Sequence, residues 1–205
     1  MEDNRLSLPL AKLQSTAKTY CSDLIAHKCC QLPFHNLLHT EEVVSNVKLL
    51  TNELALSPEE TEVVVIAAWF HDTGFSKTYS GHEEESKKLA KVFLEKLKYA
   101  SSKIESILCC IDATKLPQQP ENKYAEILCD ADVFHIETPN FFYKKMLLRR
   151  ELELKNIRTT TELEWCKINL DFLEGHNFKT TYGKDVLEKG KQENIKKIQT
   201  ILTYF

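Results

Sequence analysis

The chain has 205 residues, a length that suits one domain with a sizeable core better than two ordinary domains. Apolar residues make up 42% and charged residues 28%, with 5 glycines and 6 prolines, a balance typical of helix-rich globular proteins rather than disordered or all-β chains. The net charge of -3 gives no electrostatic footprint for nucleic acid, and no apolar run reaches the ~18 to 20 residues of a membrane span.

The N-terminus and the cysteines indicate a compartment. Residues 1–5 lack the charged-then-apolar layout of a signal peptide. The seven cysteines are odd in number, and the adjacent pairs Cys29-Cys30 and Cys109-Cys110 do not easily close a disulfide, so we expect a reduced, cytoplasmic protein. The sequence contains no Cys-x-x-Cys motif, which argues against a zinc-thiolate site.

The first part of the chain predicts two helices. Apolar residues recur at a helical period over residues 8–27, which is typical of a packing helix. A break at Pro33 precedes a second helix over residues 37–54. This second helix has His39 at its beginning.

The third predicted helix carries an adjacent histidine and aspartate. Ser57 and Glu60 have the spacing of a capping box, with a proline at the first helical position, and the helix is apolar over residues 63–70. His71 and Asp72 follow at its C-terminal end. Because neighbours on a helix point about 100° apart, the two side chains can share a ligand only beyond the helix end.

A short turn joins the second and third helices, so an antiparallel pair is the simplest arrangement. This pairing brings His39 beside His71 and Asp72. We expect Gly74 to let the backbone turn away just beyond the pair, so that both side chains look outward. A simpler alternative is that His71 is a capping cation near the negative end of the helix dipole and Asp72 begins a turn.

Further helices follow, each with its own boundary signals. They are predicted over residues 82–99 with Ser80 and Glu83 as a capping box, 102–114 with Ser102 and Glu105, 124–133, 138–156 after Thr138-Pro139, 161–174 with Thr161 and Glu164, and 184–202. Residues 124–133 also allow a strand, although the neighbouring helices favour a helix. The sequence therefore predicts a single all-α bundle of roughly eight or nine helices over residues 1–205.

The metal interpretation depends on residues that all fall at helix ends. Asp130 and Asp132 end an apolar run, and helix packing can bring that end to His39 and the His71-Asp72 pair. Two imidazoles and one or two carboxylates suit Mn, Fe, Co, Ni or Zn better than Ca, and they leave positions open for water and substrate. An incomplete protein shell of this kind is typical of catalytic metal sites.

This ordered series resembles the HD-domain superfamily of metal-dependent phosphohydrolases. The series comprises Phe-His-Asn-Leu-Leu-His-Thr at residues 34–40, the His-Asp pair and Cys-Asp-Ala-Asp at residues 129–132, all within residues 34–133. Residues 148–152 and 172–180 look like the tail of small stand-alone HD phosphohydrolases, which extends the likeness over most of the chain. The resemblance implies an all-helical HD-type bundle that binds one or two divalent metals and acts mainly on phosphomonoesters, nucleotides and cyclic or polyphosphorylated nucleotides.

The resemblance also implies the ligands. His39, His71 and Asp72 match the first three metal ligands. Asp132 is preferred as the fourth, because family members with an Ala-Asp pair use the aspartate after alanine; Asp130 then orients a ligand histidine or is a turn residue. The implied cofactor is a divalent transition metal, Mn, Fe, Co, Ni or Zn, with Mg as a further option.

The implied reaction is hydrolysis of a phosphoester, in a nucleotide or a related small phosphorylated metabolite. A bound cation polarises a phosphoryl oxygen, lowers the pKa of a coordinated water and places it for in-line attack. Asp72 and His82 are the expected catalytic residues, and His82 is also expected to contact phosphate, unless it is only a surface residue at a helix start. Because dinuclear members add histidines in the interval where this chain has only His82, a mononuclear site is expected.

Two other residues are expected to bind substrate. Arg149 clamps phosphate or, alternatively, forms surface ion pairs on its long helix. His176 contacts substrate or has a structural role in its turn between Gly175 and Asn177. Lys77 touches an anionic substrate or is a solvated surface lysine.

Two other functional classes stay open at the level of sequence. A catalytically silent HD domain binds metal and nucleotide as a sensor, whereas a helical adaptor binds neither. The sequence has no Walker-type loop and no recognisable Ser or Cys nucleophile motif, which argues against other hydrolases and kinases. The expected partner is a small phosphorylated molecule, not nucleic acid or a membrane, and the sequence does not specify an oligomeric state.

Overall fold

Nine α-helices, joined by turns, make up the architecture of the computed structural model, which describes residues 10–205 and the side chains from Lys12 onward. The helices are α1 Leu10–Lys28, α2 Leu37–Glu53, α3 Pro58–Phe70, α4 His82–Lys96, α5 Ser101–Ala113, α6 Lys123–Asp132, α7 Phe141–Leu154, α8 Glu162–Gly175 and α9 Glu188–Leu202. No strand occurs in residues 10–205, so the all-α prediction is confirmed and the strand alternative for residues 124–133 is wrong. The predicted start of α1 at residues 8 and 9 lies outside the described residues.

Helix α3 is enclosed on every side. Each of its residues from Glu62 to Phe70 is buried, and the helix packs against α1, α2, α5 and α6. A helix that is apolar all round has no face suited to water, so it takes the centre of the bundle. Burial of each large aliphatic or aromatic side chain contributes roughly 1.5–3 kcal/mol, which makes α3 the main element of the core.

Two predicted capping boxes are confirmed. In α3 the Ser57 hydroxyl accepts a hydrogen bond from the Glu60 N–H at 3.2 Å, and the Glu60 carboxylate accepts one from the Ser57 N–H at 2.8 Å. In α8 the same pair of bonds joins Thr161 and Glu164. These reciprocal bonds satisfy backbone donors that the first turn of a helix leaves free.

The caps predicted for three other helices are wrong, although α4 begins at His82 as predicted. Helix α4 follows Gly81, whose φ of 71° places a left-handed residue where Ser80 was expected to cap. Helix α5 begins one residue early, after Ala100, and no side chain caps it. Helix α7 begins at Phe141, because Thr138 belongs to the turn after a short 3-10 helix and its carbonyl accepts the Phe141 N–H.

The C-terminal helices form a second apolar cluster that continues the first. Its buried members are Val133, Ile136, Phe141, Leu173, Phe178, Leu187, Ile195 and Ile198. Phe134 and Tyr182 pack against both clusters. The assignment of all 205 residues to one domain stays a prediction.

Glu151 on α7 connects the C-terminal helices to the rest of the bundle. Its carboxylate is fully buried and accepts hydrogen bonds from the Phe34 N–H at 2.8 Å, the His35 N–H at 3.0 Å and the Tyr79 hydroxyl at 2.9 Å. The His35 ring contacts the same carboxylate through Nδ1. Burial alone raises the pKa of a carboxyl group, but here the bonds from His35 and Phe34 outweigh it and lower the pKa of Glu151.

The cysteines and the apolar character of the helices bear on the expected environment of the protein. All seven cysteines carry free thiols, in agreement with the expected absence of disulfides. Within the described part of the chain, none of the helices combines the length and the apolar character that crossing a bilayer requires. The cytoplasmic location stays a prediction.

Gly74 is required by close packing and not by an unusual backbone angle, which corrects the expectation of a turn-forming glycine. A Cβ atom built at this position lies 1.8 Å from the carbonyl oxygen of His82 and 2.8 Å from the backbone nitrogen of Ser86. The Gly74 N–H also donates a hydrogen bond to the Ser86 hydroxyl at 2.8 Å. The start of α4 therefore packs directly on the backbone that follows the His-Asp pair.

The first prediction tests this contact. Gly74→Ala is expected to lower the free energy of unfolding by at least ~2 kcal/mol, because the clash is with backbone that cannot turn aside. Gly175→Ala is the control, since a Cβ there has nothing within 4 Å, and a change within about 1 kcal/mol is expected. Urea unfolding of both variants measures the difference, and equal stabilities would contradict the packing argument.

Candidate metal centre

Three buried side chains meet where α2 begins and α3 ends. His39, in the first turn of α2, is 3% exposed, and His71 and Asp72, directly after α3, are 0% and 6% exposed. One ligand atom from each lies within 4.8 Å of the others. The pair does not look outward as predicted, because α3 is enclosed and its end opens into the interior.

The last residue of α6 completes the group. Asp132 Oδ1 lies 3.2 Å from His39 Nε2 and 3.6 Å from His71 Nε2, and the Asp132 side chain is 21% exposed. The four residues that the sequence singled out as ligands are therefore adjacent in space; we refer to His39, His71, Asp72 and Asp132 as the cluster. Asp132 forms its most open side.

The polar atoms of the cluster face one another without forming hydrogen bonds. His39 Nε2, His71 Nε2 and Asp72 Oδ2 are buried and have no hydrogen-bond partner among the described residues, although they lie 3.2–3.4 Å from their neighbours. Buried polar atoms in folded proteins are nearly always paired. Lone pairs that converge in this way are the donor set that a divalent cation requires, so the residues fit the metal.

A hydrogen bond on the far side of His71 determines which ring nitrogen is available. His71 Nδ1 lies 2.7 Å from the carbonyl oxygen of Ala68, which only accepts, so Nδ1 carries the proton. Nε2 then points into the cluster and offers a lone pair once it is deprotonated, as metal binding requires. Such a bond behind the ring orients a metal-binding histidine and raises its basicity.

The charges of the cluster compensate for burial. Burial lowers the pKa of both imidazoles, but the Asp132 and Asp72 carboxylates outweigh it and raise the pKa of His39, and that of His71 further. Burial opposes ionisation of Asp72 too, yet His71 and His39 hold its pKa well below the usual range. The Asp72 and Asp132 carboxylates thus stay ionised beside imidazoles that supply positive charge. A divalent cation would supply positive charge at the same place.

Two further histidines lie at the edge of the cluster. His82 Nε2 is 3.5 Å from Asp72 Oδ1, and its ring stacks on Phe75 with centroids 3.8 Å apart. The His35 ring also stacks on Phe75, with centroids 4.3 Å apart, and is held by Glu151. His35 belongs to the motif at residues 34–40, but sequence reasoning assigned it no role, because its partner is 116 residues away.

A cavity of about 610 Å³ opens onto the cluster. Asp72, Asp132, His35, His82 and His135 line its polar part. Helices α7 and α8 provide an apolar wall, formed by Leu148, Leu152, Trp165, Ile168 and Phe172. A few convergent polar groups in a largely apolar cavity of this size are typical of a small-molecule site.

Arg149 is not brought to this cavity, which corrects the expectation that it clamps phosphate there. Its guanidinium contacts Glu162 at 2.6 Å, Glu153 at 3.3 Å and the carbonyl oxygen of Thr160. These contacts hold the guanidinium away from the cavity, so the alternative of ion pairs near the surface describes its surroundings.

His176 also lies outside the cavity and lines a neighbouring groove with Leu116 and Phe172. Burial, aided by the positive charge of Lys191, lowers the pKa of His176 to about 4, so the ring is neutral at pH 7. A neutral ring away from the cluster corrects the expectation of a substrate contact. Lys77 is exposed, which agrees with the alternative that it is a solvated surface lysine.

Sequence reasoning missed Lys145 and His135, which both line the cavity. Lys145 lies one helical turn before Arg149, so both share a face of α7, and the sequence pointed to this face but to the wrong residue. His135 follows the Cys-Asp-Ala-Asp motif, and its buried Nε2 has no hydrogen-bond partner within residues 10–205. Burial and the charge of Lys145 lower its pKa well below the ordinary value.

The structure gives Asp130 different surroundings from Asp132. The Asp130 carboxylate accepts hydrogen bonds from the Lys179 N–H at 2.8 Å, the Thr180 N–H at 2.9 Å and the Thr180 hydroxyl at 2.7 Å. It points away from the cluster and connects α6 to the segment before α9. The sequence left two roles open for Asp130, which were to orient a ligand histidine or to form a simple turn. The observed connection matches neither role.

The second prediction separates the two aspartates. Asp130→Ala is expected to lower the free energy of unfolding by about 2–4 kcal/mol, because it leaves buried backbone donors of Lys179 and Thr180 unpaired. Asp132→Ala is expected to keep most of the stability and to lose metal. Urea unfolding of the metal-free proteins and metal content after reconstitution measure both effects; metal loss in Asp130→Ala with full binding in Asp132→Ala would reverse the assignment.

Comparison with known proteins adds one match. A family model described as the HD domain matches residues 37–137, from the first residue of α2 to just beyond the short 3-10 helix after α6. The matched segment contains all four residues of the cluster. No curated protein and no solved structure matches the chain significantly.

Proposed function

Since residues 37–137 match the HD-domain family, we propose that this chain is a metal-dependent phosphohydrolase, which hydrolyses a phosphoester in a nucleotide or a related small phosphorylated metabolite. The observation that carries the proposal is the convergence of His39 Nε2, His71 Nε2 and Asp72 Oδ2, buried and unpaired, beside a cavity that Asp72 and Asp132 line. The proposed ligands are these residues and Asp132. The metal is a divalent ion of the Mn, Fe, Co, Ni or Zn group, with Mg as a further option.

A divalent cation held by the cluster supplies Lewis acidity, which polarises a phosphoryl oxygen and lowers the pKa of nearby water. Asp72 has two tasks in this proposal, because its Oδ2 faces the imidazoles while its Oδ1 lies 3.5 Å from His82 Nε2. Asp72 therefore orients His82. His82, on the cavity wall, is the proposed contact for the phosphoryl group and for a proton that moves to or from the reacting oxygens.

The cavity limits the substrate class. A volume of about 610 Å³ suits a small molecule, and its apolar α8 residues suit the flat, weakly polar part of a substrate. A nucleotide combines such a part with a phosphate group. This combination supports a nucleotide over a compact sugar phosphate.

The third prediction concerns metal content. The purified protein, reconstituted with Mn or Co, is expected to bind about one metal ion per chain, because His39, His71, Asp72 and Asp132 form one group and, of the two histidines at its edge, His35 is held by Glu151. Elemental analysis after gel filtration measures the ratio. A reproducible value near two would contradict the mononuclear site, and a value near zero would favour an adaptor.

The fourth prediction concerns turnover. A screen of nucleotides and other phosphoesters with added Mn, Co, Ni or Mg is expected to show phosphate release that a chelator abolishes. Asp72→Ala is expected to lower both metal content and rate by at least about a hundredfold, while circular dichroism retains the helical signal. Nucleotide binding without phosphate release would assign the protein to the sensor class instead.

Asp171→Ala is a suitable control for Asp72→Ala, because Asp171 is an exposed aspartate on α8 and lies outside the cluster cavity. The control should match the unmodified protein in metal content and rate. If Asp72→Ala and the control behave alike, the cluster is not the site of reaction.

A further inference from the structure

Lys145 is a buried lysine in the wall of the cluster cavity. It lies on α7, is 7% exposed, and lines the same cavity as Asp72, Asp132 and His82. The family match ends at residue 137, so this side chain lies outside the segment that carries the cluster.

Among the residues that the structure describes, Lys145 differs from the other buried lysines in having no anionic partner. Lys144 forms an ion pair with Glu42, and Lys191 contacts Glu188 at 2.9 Å and donates a hydrogen bond to the His176 carbonyl. Within residues 10–205, Lys145 forms neither a salt bridge nor a hydrogen bond. The fold thus pairs two of its buried ammonium groups and leaves the one in the cavity unpaired.

The nearest groups to the Lys145 ammonium are aromatic. Its Nζ lies 4.2 Å from the ring centroid of Phe172 and 5.9 Å from that of Phe141. Cation–π contacts of this kind contribute less free energy than burying an unpaired charge costs. The rings therefore hold the ammonium group in position without replacing a counter-ion.

Burial lowers the pKa of Lys145 to about 8, and the Asp132 carboxylate opposes this shift only in part. The side chain is therefore mostly protonated at neutral pH. An anion entering the cavity finds a desolvated positive charge there, and charge-assisted hydrogen bonds are strong in such surroundings.

We propose that Lys145 binds a phosphate oxygen of the substrate from the α7 wall of the cavity, while the cluster holds the metal. This inference rests on the proposed function. It divides the site into an HD segment that supplies the metal ligands and C-terminal helices that recognise the phosphate and the apolar part of the substrate. Lys145 is a substrate-binding residue in this assignment and takes no part in binding the metal.

The test measures binding of inorganic phosphate to the metal-loaded protein by isothermal titration. Lys145→Met preserves the length and apolar stem but removes the charge, and it is expected to weaken phosphate binding at least about tenfold. Lys145→Arg keeps a cation and is expected to stay within about fivefold of the unmodified protein. Lys77→Met, which removes the same charge from an exposed position, is expected to leave binding unchanged.

Two additional readouts separate this role from a structural one. Metal content is expected to be equal in all variants, and metal-free Lys145→Met is expected to unfold at the same or a higher temperature, because an unpaired buried charge has been removed. Phosphate should raise the unfolding temperature of the metal-loaded unmodified protein more than that of Lys145→Met. Should Lys145→Met not fold, Lys145→Gln replaces it in the same measurements.

The proposal is overturned if Lys145→Met binds phosphate as tightly as Lys77→Met, or if the unmodified metal-loaded protein binds no phosphate. Its failure is distinguishable from failure of the proposed function, because phosphate binding requires no turnover. Phosphate binding that depends on Lys145 in a protein without hydrolytic activity would retain this inference and reject the phosphohydrolase. Hydrolytic activity together with phosphate binding that does not depend on Lys145 would reject this inference and retain the phosphohydrolase.

Discussion

The enclosure of α3 is the constraint on which the rest of the structure depends. A helix that is apolar on every face must lie at the centre of the bundle, so the polar pair at its end cannot reach bulk solvent. His71 and Asp72 must be satisfied in the interior, and the elements packed around α3 supply the partners, His39 from α2 and Asp132 from α6. Burying charged side chains costs free energy, and proteins commonly bury them where they bind a ligand. The centre of the fold is therefore its candidate site.

Three buried carboxylates perform two different tasks. Asp72 faces two imidazoles with unpaired atoms, as a metal ligand does. Asp130 accepts backbone hydrogen bonds from Lys179 and Thr180, and Glu151 accepts them from Phe34 and His35. The last two connect the part of the chain that carries the cluster to the C-terminal helices across long sequence separations, and so they hold the cavity wall against the cluster.

The cavity is a product of both halves of the chain. The segment matched by the HD-domain family supplies the cluster, whereas α7 and α8 supply an apolar wall and the unpaired ammonium of Lys145. In the proposed function, this division separates the chemistry of the reaction from recognition of the substrate.

Local sequence signals determined the helices, two capping boxes and the positions of His39, His71, Asp72 and Asp132 at helix ends, because helix periodicity and capping act over a few residues. Long-range packing decided the rest. Packing brought Asp132 rather than Asp130 into the cluster, and Lys145 rather than Arg149 into the cavity wall. It also made a glycine necessary at position 74, where the backbone contacts α4. These outcomes depend on which surfaces meet across distant parts of the chain, and no pattern within one helix records that meeting.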